Sequence, residues 1–139
     1  HAATYRSSQA WASARFTKAT LGHAVGVQVL IVDGANVVGS RPDGWWRDRA
    51  GAARRLHEGL MAAQLSCDEV VLILEGVAKQ GVPAGQDGRL RTVHAPKSGD
   101  DAIVEAVRAQ VDVGDGRDVT VVTADRVLRD RVAAAGGRA

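Results

Sequence analysis

The feature that most constrains the fold is an alternation of short β-branched runs with longer stretches whose apolar residues recur every three or four positions. Residues 27–32 form one such run, closed by Asp33-Gly34. Residues 70–74 form a second, stopped by Glu75-Gly76, and residues 119–122 a third, followed by Thr123-Ala124-Asp125. Runs this short and apolar, bounded by turn residues, suit strands buried on both faces. Between the first two, residues 46–64 carry Ala50, Ala53, Leu56, Leu60 and Met61 at helical spacing, which predicts an amphipathic helix. Ser98-Gly99-Asp100-Asp101 opens another, with Ile103, Val104, Val107 and Val111 on one side, and a last helix is expected over 126–134. Residues 89–93 alternate polar and apolar and predict a short strand nearer an edge, after a loop marked by Gly81, Pro83, Gly85 and Gly88.

Strands alternating with helices predict an α/β sandwich around a mostly parallel sheet. Right-handed crossovers then bring every strand's C-terminal end to one rim, where open α/β sheets bind ligands. The 139 residues, 45% apolar, suffice for one core, assigned to 25–139. Residues 1–24, with Tyr5, Trp11 and Phe16 on no common helical face, are expected to be a leader or tag-derived extension holding at most a short helix over 9–20. The start at His1 suggests a processed chain or a fragment. Gly136-Gly137-Arg138-Ala139 reads as a helix end with a further strand missing after it.

Composition narrows the partners. Eighteen basic against sixteen acidic side chains give a formal charge of +2, too balanced for a protein that simply wraps nucleic acid. Arginine far outnumbers lysine, which favours phosphate recognition through the planar guanidinium, although codon usage in a GC-rich genome gives the same bias. A single cysteine, Cys67, excludes an intrachain disulfide and a multi-cysteine zinc site and suits the cytoplasm. No stretch reaches the ~20 apolar residues of a membrane span. The oligomeric state is left open, a homodimer included.

The acidic residues are informative by position. Asp33 follows the first strand, Asp125 lies just beyond the last, and Asp100 and Asp101 open a helix that starts on the same rim. Two carboxylates ~4 Å apart repel by about 4 kcal/mol at an effective dielectric near 20, so gathering several calls for a cation or a raised pKa. Aspartate oxygens suit Mg²⁺ or Mn²⁺ rather than zinc. Each acid also has a local role open to it: Asp100 or Asp101 fits the capping spacing after Ser98, and Thr123 or Asp125 can cap the last helix. Asp33 is harder to read as structural alone, because Gly34 admits close backbone approach and Asn36 offers donors and an acceptor. Glu75 is a weaker further candidate.

Ile31-Val32-Asp33-Gly34-Ala35-Asn36, Gly99-Asp100-Asp101-Ala102-Ile103-Val104-Glu105 and Val121-Val122-Thr123-Ala124-Asp125-Arg126 together resemble the three motifs of NYN domains, in the PIN-like nuclease superfamily, and look most like its YacP-like branch. The resemblance spans about residues 25–135. It implies a Rossmann-like three-layer PIN fold with strand order near 3-2-1-4-5, a Mg²⁺ or Mn²⁺ site and ribonuclease activity. On that basis Asp33, Asp100 and Asp125 are metal ligands and catalytic, Asp101 is a further ligand candidate where relatives often carry another small polar residue, and Asn36 touches substrate or supports a ligand. The superfamily also contains inactive members.

Other residues are candidates for the substrate. The loop 38–49 holds Arg41, Arg47 and Arg49 for phosphates and Trp45-Trp46 for stacking, with one indole expected to anchor the loop and the other, assigned to Trp45, to meet RNA. Lys97, Thr123 and Arg126 lie close enough to the rim to contact substrate. His94 at a strand end is expected to be structural. The chain contains no GxxxxGK[ST], GxGxxG or GxSxG motif, which removes support for nucleotide switches, dinucleotide oxidoreductases and serine hydrolases. The expectation is a metal-dependent endoribonuclease acting on single-stranded or structured RNA, with ribosome association as one setting. The rivals are a non-catalytic RNA- or ribosome-binding module of the same fold, and a receiver-like phosphoryl-transfer domain.

Overall fold

A computed structural model describes residues 26–139; the expected leader and its helix lie outside the described residues. The elements run β1 (Gln28–Asp33), α1 (Gly34–Gly39), a 3₁₀ turn (Trp45–Arg47), α2 (Arg49–Ala62), β2 (Glu69–Leu74), a 3₁₀ segment (Gly76–Gly81), β3 (Gly85–Asp87), β4 (Leu90–His94), α3 (Gly99–Asp112), β5 (Asp118–Val122) and α4 (Arg126–Ala134). The fold is α/β, with a five-stranded sheet of order β3-β4-β2-β1-β5. β1 pairs in parallel with β2 and β5, and β2 with β4, while β3 runs antiparallel to β4.

The order differs from 3-2-1-4-5 by one insertion. The four parallel strands taken alone run third-second-first-fourth, as expected, and β3 is an added hairpin strand where a loop was expected. β3 is fully exposed along its length, so it needs no apolar alternation and leaves no periodic signal. Gly88, at φ 61°, makes the turn into β4. At the opposite edge the chain turns through Gly136, at φ 101°. Arg138 N–H donates to Val119 O at 2.9 Å and Val121 N–H to Arg138 O at 2.7 Å. This parallel bridge beside β5 occupies the place expected for the fifth strand.

Strand pleat divides the core. In β1, Leu30 and Val32 face α2 and pack with Leu56, Leu72 and Leu74, whereas Val29 and Ile31 face α3 and α4 and pack with Ile103, Val107, Leu128 and Val132. Each fully buried Leu, Ile or Val stabilises the fold by about 1.5–3 kcal/mol, which fixes strand register against a one-residue slip. α2 buries Gly51, Ala52, Ala53, Leu56 and Gly59, a face rotated from the expected one, so Met61 is 45% exposed. The small residues let α2 lie close to the sheet and to its neighbour: a Cβ at Gly81 would stand 2.0 Å from Ala50 O. Residues 34–39, which carry no helical signal in the sequence, form the short α1. A Cβ at Gly34 would stand 2.6 Å from Ile73 O, so glycine alone lets α1 leave β1 against β2. Among the described residues no helix is long and apolar enough to cross a membrane.

Candidate functional site

Because β1, β2 and β5 are parallel, Asp33, Glu75 and Thr123 all emerge on one rim, and α3 and α4 begin there. Asp33 is buried, at 6% exposure, and both its oxygens are held. Oδ2 accepts from the Thr123 hydroxyl at 2.9 Å, and Oδ1 from Asn36 N–H at 3.3 Å. Thr123 Oγ1 in turn accepts from Asp125 N–H at 3.2 Å, and Asn36 Oδ1 accepts from Ala124 N–H at 3.0 Å. Asp125 caps α4 by accepting from Leu128 N–H at 3.0 Å. Segments far apart in sequence are therefore locked together at the ends of β1 and β5.

The other half of the rim is organised by Glu75. Its Oε2 accepts from Gly99 N–H at 2.8 Å, which seats the start of α3 over β2. A Cβ at Gly99 would lie 3.1 Å from that carboxylate, so the Gly99 position and the Glu75 contact are tightly matched. Ser98 caps the same helix through Asp101 N–H, at 3.1 Å. Asp100, the next residue along, reaches the rim half-buried.

The charges feel one another. Burial pushes the Asp33 carboxyl above its ordinary value; the Thr123 and Asn36 hydrogen bonds oppose that rise, and the charges of Asp100 and Glu75 add to it. Asp100 is also raised, first by desolvation and then by repulsion from Asp125 and Glu75, with Arg131 pulling the other way. Asp100 thus feels the charges of Asp33, Glu75 and Asp125, and Arg131 offsets part of that repulsion.

Of the expected residues, Asp33, Asn36, Thr123 and the Asp125 backbone are joined by hydrogen bonds, and Asp100 lies within electrostatic reach of Asp33 and Asp125. Asp101 is exposed, and its Oδ1 accepts from Arg131 Nη2 at 2.9 Å, which holds its carboxyl below the ordinary range. One helical position of 100° separates it from Asp100 and turns it toward Arg131 of α4. Thr123 spends its hydroxyl inside the protein, on Asp33 and Asp125, and Asn36 bridges the β1 end to the β5 end. Arg41 is buried, at 5% exposure, and is not displayed on its loop for a phosphate. Of the two indoles, Trp45 packs against the α2-side core and Trp46 is 55% exposed, which reverses the expected roles. Arg47, Lys97 and Arg126 are exposed. His94 Nε2 bonds Val82 O at 2.7 Å, a structural contact as expected. Glu75 was undervalued from sequence; the available signal was a strand-end acid beside a helix beginning with glycine.

Compared with models of known protein families and with functionally characterised proteins, the chain matches none.

The donor set is oxygen-only: Asp33, Asp100 and Asp125, with Glu75 at the perimeter. Each Asp33 oxygen keeps a second lone pair beyond the hydrogen bond it accepts. Among the described residues no group of three or more acidic, histidine or cysteine side chains is placed to hold a metal ion. Carboxylate oxygens are the donors that a hydrated hard cation such as Mg²⁺ or Mn²⁺ takes, with waters filling the remaining positions.

Proposed function

We propose that the chain is a divalent-metal-dependent endoribonuclease whose catalytic carboxylates are Asp33, Asp100 and Asp125. The observation that carries this reading is the buried Asp33, built into a network with Thr123, Asn36 and Asp125 while sharing its rim with the like-charged Asp100 and Glu75. Such an arrangement is costly for a structure and useful for a cation. RNA as the substrate follows the NYN resemblance, as do the cytoplasmic setting and any ribosome association.

When bound, Mg²⁺ or Mn²⁺ would be held by Asp33, Asp100 and Asp125 and would supply Lewis-acid polarisation of the phosphoryl oxygen and a more acidic attacking water. The protein does the rest. Asp33, fixed through both oxygens, sets the position of the site, and Asn36 and Thr123 keep the β1 and β5 ends from separating. The proton that the attacking water loses passes to solvent. The water oxygen bonds to phosphorus as the 3′-oxygen leaves and is protonated, giving a 5′-phosphate on the downstream product and a 3′-hydroxyl upstream. Arg47, Lys97 and Arg126 offer exposed cations for flanking phosphates.

The experiment is RNA cleavage with Mg²⁺ or Mn²⁺ by wild type, Asp33→Asn and Asp125→Asn. Metal-dependent cutting by wild type alone is expected; equal cutting by all three rules out the assigned ligands. The exposed Trp46 indole with Arg47 beside it suits one second reading, a non-catalytic RNA-binding module. It is distinguished by salt-sensitive RNA binding with no cleavage under any divalent ion.

A further inference from the structure

The Trp46 indole is the one large aromatic side chain that the described residues expose by more than half, at 55%. Its placement follows from topology. β2 runs parallel to β1 and α2 precedes it, so α2 must descend from the carboxylate rim to the far end of the sheet. The start of α2, and the Trp45–Arg47 turn just before it, therefore stand on the rim. Gly81, which follows β2 on that same edge, packs against Ala50 and confirms the placement.

The indole is also held in a fixed pose. Trp45 packs on the core cluster and meets Trp46 edge-on, with centroids 6.0 Å apart and planes at 89°. The Arg47 guanidinium lies 5.8 Å from the Trp46 ring centre, and Arg49 stands 5.5 Å from that of Trp45. Gly44, at φ 74°, makes the turn that delivers the pair. An exposed indole with an arginine beside it suits a single strand, because a base can stack on the ring while the cation takes the backbone.

We propose that Trp46 is a stacking platform for an unpaired base of the substrate strand, and that it makes the site selective for single-stranded over duplex RNA. The proposal rests on the ribonuclease reading and adds the residue that sets strand specificity. A base within a duplex is stacked and paired, so it cannot reach the indole without being extruded.

The test uses an Asp33→Asn background to suppress cleavage, with a labelled single-stranded oligoribonucleotide and its duplex titrated against the parent and against added Trp46→Ala or Trp46→Phe. Stacking on one base corresponds to a loss of roughly 5- to 150-fold in single-strand affinity for Trp46→Ala, with Trp46→Phe retaining most of it and duplex affinity changing less than about twofold. Unchanged circular dichroism and melting temperature exclude misfolding, since the replaced ring is exposed. Single-strand affinity unaltered by Trp46→Ala, or an equal loss on the duplex, overturns the proposal while leaving the nuclease reading standing. Failure of wild type and parent alike to bind any RNA overturns the reading beneath it.

Discussion

Replacing Thr123 with valine removes one hydroxyl from the centre of the rim and nothing else of comparable size. That hydroxyl donates to the buried Asp33 Oδ2 at 2.9 Å and opposes the rise that burial imposes on the Asp33 pKa. A hydrogen bond to a charged group contributes about 1.5–3 kcal/mol, and Thr123 is only half-buried, so the low end applies. The loss at neutral pH is expected to be about 1.5–2 kcal/mol, a fall in melting temperature of roughly 5–8 °C for a domain of this size. The sign with pH follows from linkage. The folded-state pKa of Asp33 lies above its unfolded value, so the folded chain binds this proton more tightly. The penalty for ionised Asp33 is absent below the unfolded pKa and grows as pH rises through the folded one. Thr123→Val removes a hydrogen bond that holds that pKa down and so raises it further. The difference between wild type and variant should therefore be largest near neutral pH and shrink toward pH 4. Thermal melts across this range, without divalent ions, give the readout, and Thr123→Ser should restore the wild-type curve. A pH-independent difference, or a serine variant that behaves like valine, would refute the Thr123–Asp33 coupling.

Three further outcomes are expected. Asp101→Asn should leave Mn²⁺ affinity by calorimetry within about twofold of wild type and the melting temperature nearly unchanged, since it weakens only an exposed ion pair with Arg131; a tenfold loss of affinity would show that Asp101 is a ligand. Glu75→Gln keeps an oxygen to accept from Gly99 N–H while removing a charge, so it should fold normally and weaken Mn²⁺ binding; Glu75→Ala should in addition lose roughly 0.5–2 kcal/mol, as for other lost helix caps, visible in urea melts. Gly34→Ala drives a Cβ to 2.6 Å from Ile73 O and should destabilise the domain by about 1–3 kcal/mol; a denaturation midpoint equal to wild type would mean that α1 does not need its close approach to β2.

What the sequence disclosed depended on how each feature declares itself. β1, β2 and β5 are buried on both faces, so uniform apolar runs marked them, and parallel order followed from the intervening helices. β3 is exposed and three residues long, and α1 is one and a half turns capped by a residue that also belongs to the site; neither has room for a periodic signal. Asp33, Asp100 and Asp125 were legible because strand ends and helix starts share a rim in any parallel sheet. The orientation of individual side chains was not. Asp101 differs from Asp100 by one helical step, yet an arginine thirty residues later takes it away from the cluster. The exchange of roles between Trp45 and Trp46 likewise depends on which indole the core accepts, a tertiary matter that two adjacent identical residues cannot signal. Thr123 was read as a substrate contact, whereas its hydroxyl serves Asp33 across 90 residues of chain.

The most direct measurement is a crystal structure with Mn²⁺, its position located by anomalous scattering. A peak bounded by the carboxylates of Asp33, Asp100 and Asp125, with Glu75 at its margin and Asp101 still on Arg131, is the expected result. Signal confined to other acidic surface groups, or none at millimolar Mn²⁺, would contradict a cation-binding rim and leave Asp33 as a costly structural linchpin between β1 and β5.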